Sequence, residues 1–138
     1  MFEEIKNCLF CNDKCKTAKA VYCSNKCQAA FQRNVFIKTI EENKGFPSNQ
    51  SVKSPATIRK YLLYTRPHKC EICNNTEWMN QKIPLIADHI DGNSENSLLS
   101  NLRLVCGNCD MQLPTYKSKN KGNGRAYRRQ RYAEGKSY

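Results

Sequence analysis

Apolar residues at helical spacing predict two helices in the first half of the chain. Ser24 and Ser54 are suitable N-caps for them, and Pro55 suits the first position of the second helix. The apolar positions of the first helix are Cys27, Phe31, Val35 and Ile40. Those of the second helix are Ile58, Tyr61, Leu62 and Thr65. Proline residues, Pro47 and Pro67, follow the two segments, so neither helix is expected to continue past them.

Two shorter apolar runs predict the strands of a hairpin-like unit. Residues 83–90 form the first run, which ends at Asp91-Gly92, and residues 102–105 form the second. The loop between them is polar and rich in Asn and Ser. A short helix that ends near Pro114 follows the second strand. Helices combined with a short hairpin predict a small α+β fold.

Composition limits the class of protein. The chain has 138 residues, nine cysteines and a formal net charge of +11. It lacks the run of about 20 apolar residues that a membrane span needs, and acidic residues follow Met1 where a signal peptide has cations. We therefore expect a soluble cytoplasmic protein without a membrane partner. In that reducing compartment, close cysteine pairs are better interpreted as metal ligands than as disulfides.

The cysteines form two sets that suit Zn²⁺. A Cys-x2-Cys turn presents two sulfurs to one ion, so each tetrahedral site needs two such pairs. The first set is Cys8, Cys11, Cys23 and Cys27. The second set is Cys70, Cys73, Cys106 and Cys109. Four-sulfur sites have no open coordination position, so two structural zinc ions are predicted. Cys15 is left over, and we favour a surface thiol over the alternative that it replaces Cys11 as a ligand.

Charge divides the chain into unequal parts. Residues 67–116 carry three basic and six acidic side chains, whereas residues 117–138 carry eight basic and one acidic. We predict four segments, which are an N-terminal zinc module with a helix (1–45), a linker and helix (46–66), a central domain (67–116) and a basic tail (117–138). Tyrosines 127 and 132 interleave with the cations of the tail, a composition that suits DNA phosphates and bases. The predicted DNA-binding residues are Arg125, Arg128, Arg129, Arg131 and Lys136.

The central domain also contains candidate catalytic residues. Asp88 and His89 are adjacent on the first predicted strand, so their side chains point to opposite faces. Histidine has a pKa suited to a general base near neutrality. Asp110 directly follows the last cysteine of the second set. Two carboxylates on separately anchored elements suit Mg²⁺ or Mn²⁺, which prefer oxygen ligands.

Three strings in this region carry a resemblance to a known family. They are CEIC at 70–73, DHIDGN at 88–93 and NLRLVCGNCD at 101–110. Together they resemble the HNH endonucleases, especially the zinc-stabilised kind of bacteriophages. The resemblance implies a ββα-metal core, treble-clef-like, in which Asp88 is a metal ligand, His89 the general base and Asn101 the residue that holds the loop and orients the histidine. Asp110 departs from the family pattern, which has His or Asn there. The cysteines of residues 1–45 also resemble the treble-clef-like zinc modules found ahead of HNH domains.

The expected function is that of a metal-dependent HNH DNA endonuclease, phage-encoded and of the homing type, with two structural Zn²⁺ and one catalytic Mg²⁺ or Mn²⁺. A single site cuts one strand, so a monomer would nick, and a homodimer would be needed for concerted double-strand cleavage. Two alternatives stay open. One is a non-catalytic zinc-containing protein that binds nucleic acid, such as a packaging accessory. The other is an interaction module that docks on a phage or host protein through its N-terminal zinc module.

Overall fold

The fold is described from a computed structural model that covers residues 4–47, 54–120, 130 and 133–135. These residues fall into two compact units, one within Met1–Glu42 and the other within Asn43–Tyr138. The finer division predicted from the sequence, into segments 1–45, 46–66, 67–116 and 117–138, remains a prediction. None of the helices in these ranges has the length and apolar character that crossing a membrane requires.

Short helices and two-stranded sheets make up the regular structure, which confirms the predicted small α+β class. In chain order the elements are α1 (Asn25–Glu42), α2 (Pro55–Thr65), β1 (Glu77–Trp78), β2 (Gln81–Lys82), β3 (Leu85–His89), β4 (Leu102–Cys106) and α3 (Gly107–Gln112). Two turns of 3₁₀ helix lie at Leu99–Asn101 and Lys117–Lys119. The strands β3 and β4 and the helix α3 form a ββα unit.

The N-terminal unit consists of a cysteine turn followed by α1. The chain pairs with itself across the turn through a bridge between Asn7 and Lys14. Ser24 caps α1 as predicted, because its Oγ accepts a hydrogen bond of 3.3 Å from the backbone N–H of Cys27. The predicted apolar face is only partly correct, since Ile40 is buried while 49% of Val35 is exposed.

The second unit is built on the antiparallel pair of β3 and β4. Leu85 pairs with Cys106 at one end of the pair, and His89 pairs with Leu102 at the other. Helices α2 and α3 both pack against these strands. The fully buried side chains of this unit are Ile58, Leu62, Leu85, Leu102, Leu104, Val105 and Cys70. A core this small leaves much of the stability to other interactions.

Helix α2 has the predicted ends. The hydroxyl of Ser54 accepts a hydrogen bond from the backbone N–H of Thr57, and Pro55 occupies the first position of the helix. Thr65, predicted to share the apolar face, is instead exposed and bonds back to the carbonyl of Tyr61 at 2.9 Å. That face remains apolar because Ile58, Tyr61 and Leu62 are all buried.

Two features of the second unit differ from the sequence expectation. Phe46, predicted to open the linker, is buried and packs edge-on against Tyr61, with ring centroids 5.3 Å apart. The small hairpin of β1 and β2 was not predicted. Its turn residues Met79 and Asn80 both have positive φ, 50° and 62°, as a tight hairpin turn requires. Because the sequence has Met where Gly or Asn is usual, this turn carries no recognisable signal.

Candidate active site

The second cysteine set forms a cluster at one end of the β3–β4 pair. The sulfur atoms of its four residues all lie within 4.8 Å of one another, and those of Cys73 and Cys106 are 3.8 Å apart. Cys70 and Cys73 lie on a tight turn closed by a 2.8 Å bond from the Asn74 N–H to the Cys70 carbonyl. Cys106 ends β4 and Cys109 lies on α3. The cluster therefore ties the turn, the strand and the helix together.

This arrangement fits a structural zinc ion. Zn–S bonds of about 2.3 Å in a tetrahedron separate the sulfurs by about 3.8 Å, the distance between Cys73 and Cys106. Burial raises the pKa of the Cys70 thiol, but backbone N–H groups, foremost that of Cys73, outweigh it and lower the pKa to about 6. The Cys106 N–H donates to the Cys70 sulfur at 3.3 Å. A thiolate is the form that binds zinc, so the backbone prepares Cys70 as a ligand.

The first cysteine set has the same construction. Its four sulfurs also lie within 4.8 Å of one another, with 3.4 Å between Cys23 and Cys27 and 3.5 Å between Cys11 and Cys23. The turn is closed by a 2.9 Å bond from the Asn12 N–H to the Cys8 carbonyl. Burial raises the pKa of Cys8, and backbone N–H groups again outweigh it and lower the pKa to about 6. This cluster also fits a structural zinc ion.

Cys15 lies outside both clusters. The prediction that it does not replace Cys11 agrees with this geometry, but the prediction of a surface thiol is wrong. The side chain is buried, with 4% of the residue exposed, and burial raises its pKa. Its backbone N–H donates to the carbonyl of Lys6 at 3.0 Å, so the chain folds back next to the turn and covers the thiol.

Asp88 and Asp110 lie on elements that pack together in the ββα unit. Asp88 lies on β3 in register with Arg103 on β4, and the Arg103 Nε donates to Asp88 Oδ2 at 2.8 Å. Asp110 lies on α3, which packs against both strands. Burial raises the pKa of Asp110, the negative charge of Asp88 raises it further, and the ammonium group of Lys117 opposes both. The two predicted carboxylates are therefore close enough for the charge of Asp88 to affect the pKa of Asp110.

His89 is the last residue of β3. Its Nε2 atom is buried, and its backbone carbonyl accepts the N–H of Gly92 at 2.8 Å, so the strand turns sharply behind it. The imidazole also interacts electrostatically with Asp91 in this turn. His89 is thus adjacent to Asp88 in the chain and lies at the start of the polar loop.

Asn101 holds this polar loop together. Its Nδ2 donates to Asp91 Oδ1 at 2.9 Å and to the carbonyl of Asn96 at 2.8 Å, and its Oδ1 accepts the Asp91 N–H at 3.1 Å. Asn101 is buried, with 9% exposed. Burial raises the pKa of Asp91, but hydrogen bonds to its carboxylate, first that of Asn96, outweigh this and lower the pKa. The predicted effect on the orientation of His89 would act through this network and stays a prediction.

The segment after α3 packs onto the same loop. Asn120 donates from Nδ2 to the carbonyl of Gly92 at 2.7 Å. Gly92 has a φ of +72°, and a Cβ there would meet the Asn120 Oδ1 at 2.7 Å and the Thr115 Cγ2 at 2.8 Å. Glycine is therefore required by both the backbone conformation and the contact. This contact brings Lys117 toward Asp110.

One curated protein is similar to this chain. It is the H-N-H endonuclease F-TflIV of Escherichia phage T5, which is 31% identical over 121 residues. The match covers 79% of this chain and 53% of the phage protein, so the chain spans about half the length of its relative. This similarity supports the HNH endonuclease family. No family model matches the chain, and no solved structure does.

Two of the HNH expectations need a further comment. Asp110, which stands where the HNH pattern has His or Asn, is near enough to Asp88 for the charge of Asp88 to raise its pKa. The predicted DNA-binding residues Arg125, Arg128, Arg129, Arg131 and Lys136 lie outside the described residues. Arg103, Asp91 and Asn120 were not predicted as site residues. Asp91 and Arg103 lie within the strings that carry the resemblance, but Asn120 lies beyond them and has no signal in the sequence. Strand register and the return of the chain after α3 bring these residues to the site.

Proposed function

We propose that the protein is a metal-dependent HNH endonuclease that hydrolyses phosphodiester bonds in DNA. The observation that carries this proposal is the pair of carboxylates, Asp88 and Asp110, which approach each other from β3 and α3 with His89 next to them. A cysteine cluster that fits zinc ties α3 to β4, the strand that pairs with β3. The similarity to the H-N-H endonuclease of phage T5 supports the same activity.

Each residue has a distinct role in this proposal. Asp88 and Asp110 supply the oxygen ligands that suit Mg²⁺ or Mn²⁺. When bound, such an ion supplies positive charge at a phosphate oxygen and at the leaving 3′ oxygen. His89 accepts the proton of the attacking water as general base. Asn101 fixes the loop next to His89 through its bonds to Asp91. The expected products carry 5′-phosphate and 3′-hydroxyl ends.

A plasmid assay tests the activity. Supercoiled plasmid is incubated with the protein in Mg²⁺, in Mn²⁺ and without added divalent ion, and the same is done with His89→Ala. The wild type is expected to nick the plasmid only when Mg²⁺ or Mn²⁺ is present. His89→Ala is expected to lose cleavage while it keeps its zinc content and DNA affinity. Full cleavage by the variant would remove His89 as general base. Binding without any cleavage by the wild type would favour a non-catalytic nucleic-acid-binding protein instead.

DNA affinity is proposed to come from the basic flanks. The tail carries eight basic residues and one acidic residue, whereas the segment with the active site is formally negative. Each four-thiolate zinc site adds a net charge of about −2, so the central segment repels DNA, and a bound catalytic ion would reduce that repulsion. Deletion of residues 121–138 is therefore expected to weaken binding strongly and to flatten its dependence on salt. Unchanged binding would place the DNA contacts elsewhere.

The biological setting is also a proposal. The curated relative is a phage protein. A phage-encoded nuclease of this kind would act in the cytoplasm of the bacterial host, and homing is the role that we propose for it. As a monomer with one site the protein would nick. The N-terminal zinc module is proposed as an auxiliary unit that binds DNA or docks on a phage or host protein. Sedimentation with and without DNA distinguishes a nicking monomer from a dimer that cuts both strands.

A further inference from the structure

Among the residues that the structure describes, Arg103 is the one cation that donates a hydrogen bond to a proposed metal ligand. It pairs with Asp88 across the sheet, in register, so the two Cα positions are fixed by β3 and β4. Only 21% of the Arg103 side chain and 11% of the Asp88 side chain are exposed. The pair is therefore held by the sheet and partly shielded from solvent, unlike a mobile surface ion pair.

The pairing uses a single donor of the guanidinium group. The Nε of Arg103 donates to Asp88 at 2.8 Å, and within the described ranges this is its only hydrogen bond. A guanidinium group has five N–H donors, so both terminal amino groups are left over. Arg66 differs, because its terminal groups are committed to Glu71 and to the carbonyls of Leu99 and Leu102. The terminal amino groups of Arg66 thus hold parts of the fold together, whereas those of Arg103 have no such role among the described residues.

The charges around the pair favour an anion at these free donors. Asp88 and Asp110 together carry two negative charges, which by themselves repel a phosphodiester. Arg103 donates a hydrogen bond to Asp88, and the ammonium group of Lys117 interacts electrostatically with Asp110. A planar guanidinium matches the two non-bridging oxygens of a phosphate better than an ammonium does.

We propose that Arg103 is a phosphate-binding residue of this site. Asp88 holds its Nε, and its terminal amino groups contact a non-bridging oxygen of the phosphate that is to be cleaved. The location of that phosphate rests on the proposed function. Arg103 thereby contributes positive charge that the two carboxylates cannot supply, both when DNA binds and when charge develops on the phosphate.

The first test measures binding and needs no activity. Affinity of the full-length protein for a fluorescently labelled DNA duplex is measured by anisotropy over a series of salt concentrations, without added divalent ion and without chelator, so that zinc stays bound. Arg103→Gln is compared with Arg59→Gln. Arg59 is a matched control because its Nε also bonds to β3, at the carbonyl of Leu85, and among the described residues it forms no ion pair with a carboxylate.

For Arg103→Gln the plot of log affinity against log salt is expected to lose about 0.9 of its slope, the value of one phosphate contact. Arg59→Gln is expected to keep the wild-type slope. An unchanged slope for a folded, zinc-loaded Arg103→Gln would overturn the proposal, since a residue that only positions Asp88 makes no contact with DNA. This readout is independent of cleavage, so it stays informative if the wild type does not cut.

The second test separates charge from geometry and covers the case in which Arg103→Gln does not fold. Arg103→Lys keeps the positive charge but cannot bond to Asp88 and to a phosphate with one rigid group. Its salt slope is expected to match the wild type, while its cleavage rate falls. Arg103→Gln is expected to lose at least about 100-fold in cleavage rate, as for removal of one transition-state donor. Wild-type cleavage by Arg103→Lys at unchanged thermal stability would overturn the proposal.

Discussion

The two cysteine modules of this chain use the same turn and differ in what the chain inserts between its halves. In both, the fourth residue after the first cysteine has positive φ, 65° at Asn12 and 62° at Asn74. In both, that first cysteine is buried and has a pKa lowered to about 6. In each module one of the last two cysteines lies on a helix, Cys27 on α1 and Cys109 on α3, and the other lies just before that helix.

The insert makes the difference. Only 11 residues separate Cys11 from Cys23, whereas 32 separate Cys73 from Cys106. The longer insert contains β3, the polar loop and β4, and with them Asp88 and His89. The same zinc scaffold therefore serves as a small structural module in one place and anchors a candidate active site in the other. The proposed general base and one proposed metal ligand lie in this insert, whereas Asp110 lies on the helix that follows it.

The largest contrast should come from removing one ligand in each module. Cys70→Ala is expected to unfold the second unit and abolish cleavage, because structural zinc contributes about 10–16 kcal/mol of apparent binding free energy. Cys8→Ala is expected to lose one zinc but to keep the cleavage rate at saturating DNA. Zinc content by mass spectrometry, circular dichroism and the plasmid assay measure this. Equal loss of cleavage in both variants would contradict the proposal that only the second module supports the active site.

A carboxylate in each module gives the next contrast. Asp88→Asn removes a proposed metal ligand and is expected to lower the cleavage rate by about 100-fold or more, since even outer-shell partners cost 10- to 100-fold. Asp13→Asn is the matched control, because Asp13 lies 3.3 Å from the Cys11 sulfur in the first module. It is expected to cleave at the wild-type rate. Rates at several Mn²⁺ concentrations show whether the loss at Asp88 follows metal affinity.

Asn101→Ala should weaken the insert without touching the zinc. It removes three side-chain hydrogen bonds within the polar loop. Each is worth about 1 kcal/mol, so the free energy of unfolding should fall by about 2–3 kcal/mol. Urea denaturation measures the loss, and zinc content serves as the control. A variant with wild-type stability would show that the loop does not depend on this residue.

Gly92→Ala should have the smallest effect of the four. It places a Cβ 2.7 Å from the Asn120 Oδ1 at a residue with a φ of +72°, and we expect a loss of about 2 kcal/mol. Gly135→Ala has a similar φ, +70°, but among the described residues nothing lies within 4 Å of its Cβ. Thermal unfolding of both variants separates the backbone cost from the contact. Equal losses would mean that the segment after α3 does not press on the loop.

The local patterns that were predictable depend on neighbouring residues alone. Ser54 and Pro55 start α2, and the two Cys-x2-Cys turns form as expected, because capping and tight turns are decided within a few residues. The grouping of eight cysteines into two sets also followed from spacing. The predictions of a buried Thr65 and an exposed Cys15 were wrong, because Thr65 is exposed and Cys15 is buried. Burial depends on which distant segment covers a side chain.

By itself, then, the sequence determined the α+β class, the two sets of four cysteines and the Asp-His pair, because each of these follows from residue type and spacing. Only the tertiary structure decided that Asp88 is in register with Arg103, that Asp110 comes close enough to Asp88 to be affected by its charge, and that Asn120 packs on Gly92. These contacts join residues that are 15, 22 and 28 positions apart in the chain. Their geometry depends on strand register and on how α3 leaves the zinc site, which no short-range pattern specifies.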